Sequence, residues 1–202
     1  MSGDEPRRRR GRRPGHSGSR DAILAAARAA FARDAYAGAS LRAIARDADV
    51  DPALISHYFG SKAGLFIAAT DWPFDPDEGH RATLAGGRDD VGRRLAEFFF
   101  GTWSVPEKRI SVLGLLQTAF TDPTVAAMLR EFFVDEVFEP LLTRLGADQV
   151  ALRSGLLASQ LHGVILSRYV LDLLSQEAFD DATVIDAIAP TLQRYAVGPL
   201  TG

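Results

Sequence analysis

Between Ser40 and Phe66 the chain opens a helix again and again at short intervals, and this punctuation constrains the fold more than any other feature. Ser40 stands where an N-cap belongs, ahead of Leu41, Ile44 and Ala45. Asp51 and Pro52 combine a capping side chain with the residue best suited to a first helical position. Gly60 stops the helix they begin, and Ser61 caps another that carries Leu65, Phe66 and Ala69. Helices this short are not stable alone. They must pack on each other and on a preceding helix, where Ile23, Ala27, Ala30 and Phe31 share one face. Ala48-Asp49-Val50-Asp51 is the turn between the second and third helices, a helix-turn-helix arrangement.

The pattern stays helical beyond this unit. Trp72-Pro73-Phe74-Asp75-Pro76 interrupts it and is read as a domain junction. Helices are predicted over 91–102 and 107–120, and a third from Asp122-Pro123 that carries Val125, Met128, Leu129, Phe132, Phe133 and Val137. Pro140 predicts a kink or break near its end. The last two helices are expected over 150–174 and 181–195, the second kinked at Pro190. Neither strand periodicity nor an internal repeat is visible, so the fold is expected to be all-α. Residues 1–19, rich in Arg, Gly, Ser and Pro, are expected to form a disordered basic arm. The expected domains are therefore 1–19, 20–70 and 71–197.

Composition removes several classes of function. The chain has no cysteine, which excludes disulfides, thiolate metal sites and cysteine nucleophiles. The apolar runs are too short to span a membrane, and no apolar stretch follows the N-terminal arginines as in a secretory signal, so a cytoplasmic protein is expected. Gly15-His16-Ser17-Gly18 lacks the spacing of a nucleophile elbow. Asp75, Asp77, Glu78 and His80 are read as a capped, acid-rich first helical turn, not a metal site. His162 and Arg168 have no Ser or Asp partner at catalytic spacing. No catalytic residue, metal or cofactor is expected, and the chain is not read as an enzyme. The net charge of −3 hides a basic first third and an acidic remainder, which points to a polyanionic partner for the N-terminal part.

The run LRAIARDADVDPALISHYFGSKAGLF (residues 41–66) resembles the DNA-binding domain of the tetracycline-repressor-like (TetR) family of bacterial regulators. The match rests on Ile44-Ala45, Val50, His57-Tyr58-Phe59, Ser61-Lys62 and Leu65-Phe66, and covers residues 20–69. Asp49 stands where the family usually has glycine, and Asp tolerates the left-handed conformation this requires. The resemblance implies a three-helix DNA-binding domain followed by a larger helical domain for ligand binding and dimerisation. Its third helix would enter the major groove of a double-stranded operator. Ser40, Asp51, Pro52, Ala53, Leu54, Ser56 and His57 are the candidates facing DNA, with the Tyr58 hydroxyl and Lys62 on phosphates. Arg7, Arg8, Arg9, Arg10, Arg12 and Arg13 would follow the backbone or an adjacent minor groove. The third helix is poor in Arg, Asn and Gln, so direct readout would lean on apolar contacts and single hydrogen bonds.

On a helical wheel the apolar residues of 150–174 spread almost all round, which requires burial on both sides. In so small a domain the second side is expected to be another chain. Leu156, Val164, Leu166, Val170, Ile185, Ile188 and Leu192 are the candidate contacts of a homodimer. The resemblance implies the same pairing of the last two helices. It also implies a small apolar effector held among the middle helices. Trp103, Gln117, Phe120, Met128 and Phe132 are the candidate lining, with His162 and Arg168 as polar partners, although an Arg168–Asp172 ion pair at i+4 is the alternative for that arginine. The expected function is a ligand-responsive transcriptional regulator, a repressor. The alternative is a helical ligand-binding or scaffold protein with a degenerate DNA-binding domain.

Overall fold

The computed structural model describes residues 16–103 and 105–200, and every regular element among them is helical. Helix α1 (His16–Gly38) is followed by α2 (Leu41–Asp47), α3 (Pro52–Phe59) and α4 (Lys62–Thr70). Then come α5 (Pro76–Leu84), α6 (Val91–Trp103), α7 (Pro106–Ala119) and α8 (Pro123–Phe132). A π-helical segment (Phe133–Phe138) leads into α9 (Glu139–Arg144), and α10 (Val150–Tyr169) and α11 (Asp181–Val197) close the chain.

Helix α1 begins four residues before the expected boundary of the basic arm, so 16–19 are helical; the arginines at 7–13 lie outside the described residues. Its buried face is the predicted one, Ile23, Ala27, Ala30 and Phe31, with Leu24 added. At Ala35 the backbone leaves helical geometry with φ 56, which is costly for a residue with a side chain. The bend is held from outside. The Tyr36 hydroxyl donates to Glu136 Oε1 at 2.5 Å, and the Ala37 amide donates to Glu131 Oε2 at 2.7 Å.

Two buried clusters result. The first unites α1–α4 with Trp72, Trp103, Val112, Met128, Leu129, Phe132 and Ile165. The second gathers α6, α9, α10 and α11 around Leu142, Leu157 and Leu192. Phe99, Phe133 and Val137 pack against both. Phe132, fully buried, meets the rings of Phe66, Trp72 and Tyr36 at 4.5, 5.6 and 5.8 Å between centroids.

The break expected from Pro140 takes the form of the π segment just before it. Proline lacks an N–H and its ring crowds the carbonyl four residues back, so the preceding turn widens instead of ending. Helix α11 runs through Pro190 and packs on α6, whose backbone it approaches closely at Gly92. A Cβ there would lie 2.3 Å from the Ala189 carbonyl oxygen. Gln193 occupies the gap, accepting from the Gly92 amide and donating to the Arg88 carbonyl.

Helix α10 ends at Tyr169, short of the predicted 174. The reason is Arg168. Its guanidinium is buried, donates to the Leu174 and Phe179 carbonyls, and pairs with Asp181 at 2.5 Å, turning the chain into α11. The alternative pairing with Asp172 is not made. Arg153 does the same at the other end, donating to the Tyr195 and Gly198 carbonyls while it pairs with Asp148. Buried and hydrogen-bonded, these two arginines set the register of α11 against α10.

Phe132→Ala is expected to cost roughly 3–5 kcal/mol in urea unfolding, the usual range for removing a buried aromatic ring. Phe120→Ala, at a ring that is 83% exposed, is expected to change stability by less than about 0.5 kcal/mol.

Candidate functional site

The α2–turn–α3 unit is built by backbone hydrogen bonds that its sequence anticipates. After Asp47 the amides of Ala48 and Val50 return to the carbonyls of Ile44 and Ala45, and Asp49 between them adopts φ 54. That left-handed residue closes the helix as glycine does elsewhere. Asp51 accepts from the Ala53 amide at 2.8 Å, so Pro52 starts α3 as expected. Gly60, at φ 73, ends it, and Ser61 accepts from the Gly64 amide at 3.0 Å. Gly64 is a requirement the sequence reading missed: a Cβ there would meet the Phe59 carbonyl oxygen at 2.1 Å. Ser40 precedes α2 in extended geometry, but its side chain makes no capping bond.

Ile55 points inward and is fully buried, which turns the rest of α3 outward. Asp51, Pro52, Ala53, Ser56 and His57 are exposed, Leu54 and Tyr58 are half-buried, and Ser40 is exposed nearby in sequence at the start of α2. Arg42 and Arg46 are exposed on α2; they were not among the predicted contacts. Lys62, expected on a phosphate, is engaged within the chain. Its ammonium donates to the Ala37 carbonyl at 3.1 Å and lies 4.6 Å from the centre of the Tyr36 ring. In that position it caps the C-terminal end of α1. Burial pulls its pKa down, while Glu136, Glu131 and Asp135 act in the opposite direction.

The helical domain holds two adjoining spaces. The first is a narrow cavity of about 40 Å³ between α5, α6, α10 and the π segment, walled mainly by rings. Of the predicted ligand residues only Trp103 and His162 reach it. Trp72, Phe74, His80 and Thr83 line it too, so the segment read as a plain junction is in fact part of a wall. The second space is an open cleft of 410 Å³, lined by Gln117, Phe120 and His162 from the predicted set and also by Leu166 and Val170. Phe133, His162 and Ile165 stand between the two. Met128, Phe132 and Arg168 line neither. The first two fill the core between α8 and the N-terminal helices, and Arg168 is consumed by its structural bonds.

The predicted dimer contacts also divide. Val164 on α10 and Ile185, Ile188 and Leu192 on α11 are buried within their own chain and are not available to a partner. Leu156 is half-buried, while Leu166 and Val170 stay exposed. With Leu152, Gly155 and Gly163 these form an outward stripe along α10.

Among the described residues no group of His, Asp and Glu has the arrangement of a metal site, and no helix is long and apolar enough to cross a membrane. Asp75 caps α5 by accepting from the Asp77 amide, as read from sequence. His80 is buried, with its Nε2 2.7 Å from the Val137 carbonyl oxygen. A carbonyl only accepts, so Nε2 carries the proton and the neutral ring leaves Nδ1 bare.

A family model described as tetracyclin repressor-like, C-terminal domain matches residues 89–196, and one for bacterial regulatory proteins of the tetR family matches 23–69. A TetR-family regulator from Streptomyces coelicolor A3 is similar at 31% identity, with 93% of this chain and 99% of that chain covered and a TM-score of 0.43. NalD, the secondary repressor of the MexAB-OprM multidrug efflux pump in Pseudomonas aeruginosa, is similar at 22% identity (coverage 90% and 98%, TM-score 0.44). The multidrug binding protein EbrR, complexed with proflavin, is similar at 20% identity (coverage 88% and 99%, TM-score 0.47). No curated protein matches the chain.

Burial holds the imidazoles of His80 and His162 below the ordinary histidine pKa; for His80, Arg144 adds to this while the Val137 carbonyl, Asp77 and Asp75 oppose it. A base whose pKa is depressed on folding binds fewer protons in the native state. Its contribution to stability is therefore intact above the unfolded value of ~6.5 and is lost as pH falls below it. Urea midpoints are expected to drop on acidification below that value, and less steeply when both histidines are replaced by Gln. An identical slope in the double variant would contradict this assignment.

Proposed function

The chain belongs to the tetR family of bacterial regulatory proteins, and from that premise we propose that it is a dimeric repressor released from a palindromic operator by a small, mostly apolar molecule. As a member of that family it is a transcriptional regulator, not an enzyme. The observation that carries the proposal is the outward face of α3, held at fixed angle by the buried Ile55, the Asp49 turn and the α4 contact at Gly64. Asp51, Pro52, Ala53, Leu54, Ser56 and His57 present themselves to a major groove, and Tyr58 to its phosphates. Lys62 acts on DNA by placing α1 against α4, and meets a phosphate when its bond to Ala37 is released.

Two copies joined through Leu156, Leu166 and Val170 on α10 would place two such faces on one side of the dimer, as a two-fold operator needs. The same pairing would cover the mouth of the open cleft, which Leu166 and Val170 line. The arginines at 7–13 would add a sequence-independent grip on the backbone. The cytoplasm is the compartment in which such a repressor meets its operator.

The second reading, a helical ligand-binding protein with a degenerate DNA-binding domain, is favoured by one observation. The α3 face lacks the Arg, Asn and Gln side chains that make bidentate base contacts. Fluorescence anisotropy on labelled DNA from upstream of the protein's own gene separates the two. The repressor reading expects binding that tolerates excess random DNA; equal affinity for random DNA would favour the second.

Leu166→Glu is expected to give a folded monomer with little operator affinity, because Leu166 is exposed in the single chain. Ile188→Glu is instead expected to unfold the helical domain. Sedimentation and circular dichroism distinguish the two, and a dimeric Leu166→Glu would refute the α10 interface. Deleting residues 1–15 is expected to weaken operator binding at low salt and to flatten the slope of log K against log salt by ~0.9 for each DNA phosphate the arm had neutralised. Unchanged affinity at low salt would remove the arm from the interface.

A further inference from the structure

Residues that line the narrow cavity carry polar atoms without partners. Trp72 Nε1, Trp103 Nε1, Thr83 Oγ1 and His80 Nδ1 are buried and make no hydrogen bond, and each of these residues is at most 5% exposed. Buried polar atoms are almost always satisfied, so four unsatisfied ones around one space call for an explanation. An indole N–H can only donate, which fixes what would satisfy the two tryptophans, an acceptor; the bare His80 Nδ1 is itself an acceptor and would take a donor. The rest of the wall decides the kind of acceptor. Phe74, Phe98, Phe99 and Phe133 supply flat apolar faces, and no Asp, Glu, Lys or Arg lines the cavity. An anion or cation placed there would lose its hydration with no opposite charge in the wall.

We infer that this cavity takes an uncharged aromatic molecule bearing a carbonyl or ether oxygen, which accepts from the indole N–H groups of Trp72 and Trp103 and from the Thr83 hydroxyl. The inference rests on the reading that an effector binds in the helical domain, and narrows its chemical class. At about 40 Å³ the cavity is well below the ~150 Å³ that admits benzene. The ligand therefore enters by displacing the partition shared with the open cleft, the Phe133 and His162 rings, whose centroids are 4.6 Å apart. Trp72 and Phe133 both touch Phe132, so this displacement is felt at once by the core under α1 and α4.

The sequence contains two tryptophans, and both are in this wall, so intrinsic fluorescence of the full-length protein reports on the cavity directly. Four probes of similar size are titrated: deoxybenzoin, an uncharged ketone between two rings; bibenzyl, the same frame without oxygen; diphenylacetate, an anion; and proflavin, a cation. Deoxybenzoin is expected to give a saturable change and to bind about tenfold more tightly than bibenzyl, the gain of one or two recovered hydrogen bonds. Thr83→Val and Trp103→Phe are expected to shrink that preference. Equal binding of bibenzyl and deoxybenzoin, binding of either ion as tight as that of deoxybenzoin, or no saturable response to any probe at millimolar concentration would overturn the inference. Operator release is measured separately by anisotropy. Saturable deoxybenzoin binding without release leaves the cavity assignment standing and counts against a ligand-released repressor. Normal operator binding with no probe response overturns the cavity assignment alone.

Discussion

The ring of Phe132 sits where the N-terminal helices meet the larger helical domain, and the arrangement of both depends on it. Phe66 from α4 and Tyr36 from the bent end of α1 reach it on one side, and Trp72 and Phe133 on the other. Around the rings a polar collar fixes the orientation. Glu136 and Glu131 hold Tyr36 and the Ala37 amide, and Lys62 returns to the Ala37 carbonyl. The left-handed Ala35 is sustained by this collar, since the residues that follow it are bound to α8 and the π segment. The contacts of Phe66 and Tyr36 with Phe132, and of Tyr36 and Ala37 with Glu136 and Glu131, thus each have one end in the DNA-binding unit and one in the helical domain, while Lys62 ties α4 to α1 within the first.

This geometry gives a physical content to ligand response. A molecule shifts an equilibrium only by its difference in affinity between two states. Here the cavity wall contains Trp72 and Phe133, and the next ring in contact with both is Phe132. Displacing the wall therefore displaces the joint on which α1 and α4 rest. The π segment that carries Phe133 is the natural place for movement, because its wide turn is a packing compromise forced by Pro140.

What could be read from the sequence was whatever is decided within a turn or two of chain. Asp51-Pro52, Gly60, Ser61, Asp75-Pro76 and Asp122-Pro123 mark helix ends by local hydrogen bonding, and the structure uses all of them so. Asp49 in the turn was likewise legible, as its left-handed backbone is a property of one residue. The candidate pocket was not, since period alone does not tell a ring in a core from one on a surface. Phe132 and Phe120 looked equivalent, yet one is fully buried and the other faces solvent. Arg168 was misplaced for a similar reason. The i+4 rule points to Asp172, whereas the actual partner, Asp181, lies across a loop whose path no periodicity reveals. Trp72 was hidden by the prolines around it, which advertise an interruption and say nothing of what the interrupted segment packs against.

The central claim is that one aromatic joint makes α1, α4 and α8 a single cooperative unit. Native-state hydrogen exchange in rising urea tests it most directly, because it separates local openings from those that expose a whole region. The amides of Phe31, Phe66 and Phe132 are predicted to exchange through one opening, with the same free energy and the same dependence on urea. If Phe31 and Phe66 exchange through a smaller opening that leaves Phe132 protected, the two parts of the chain fold independently and the joint does not couple them.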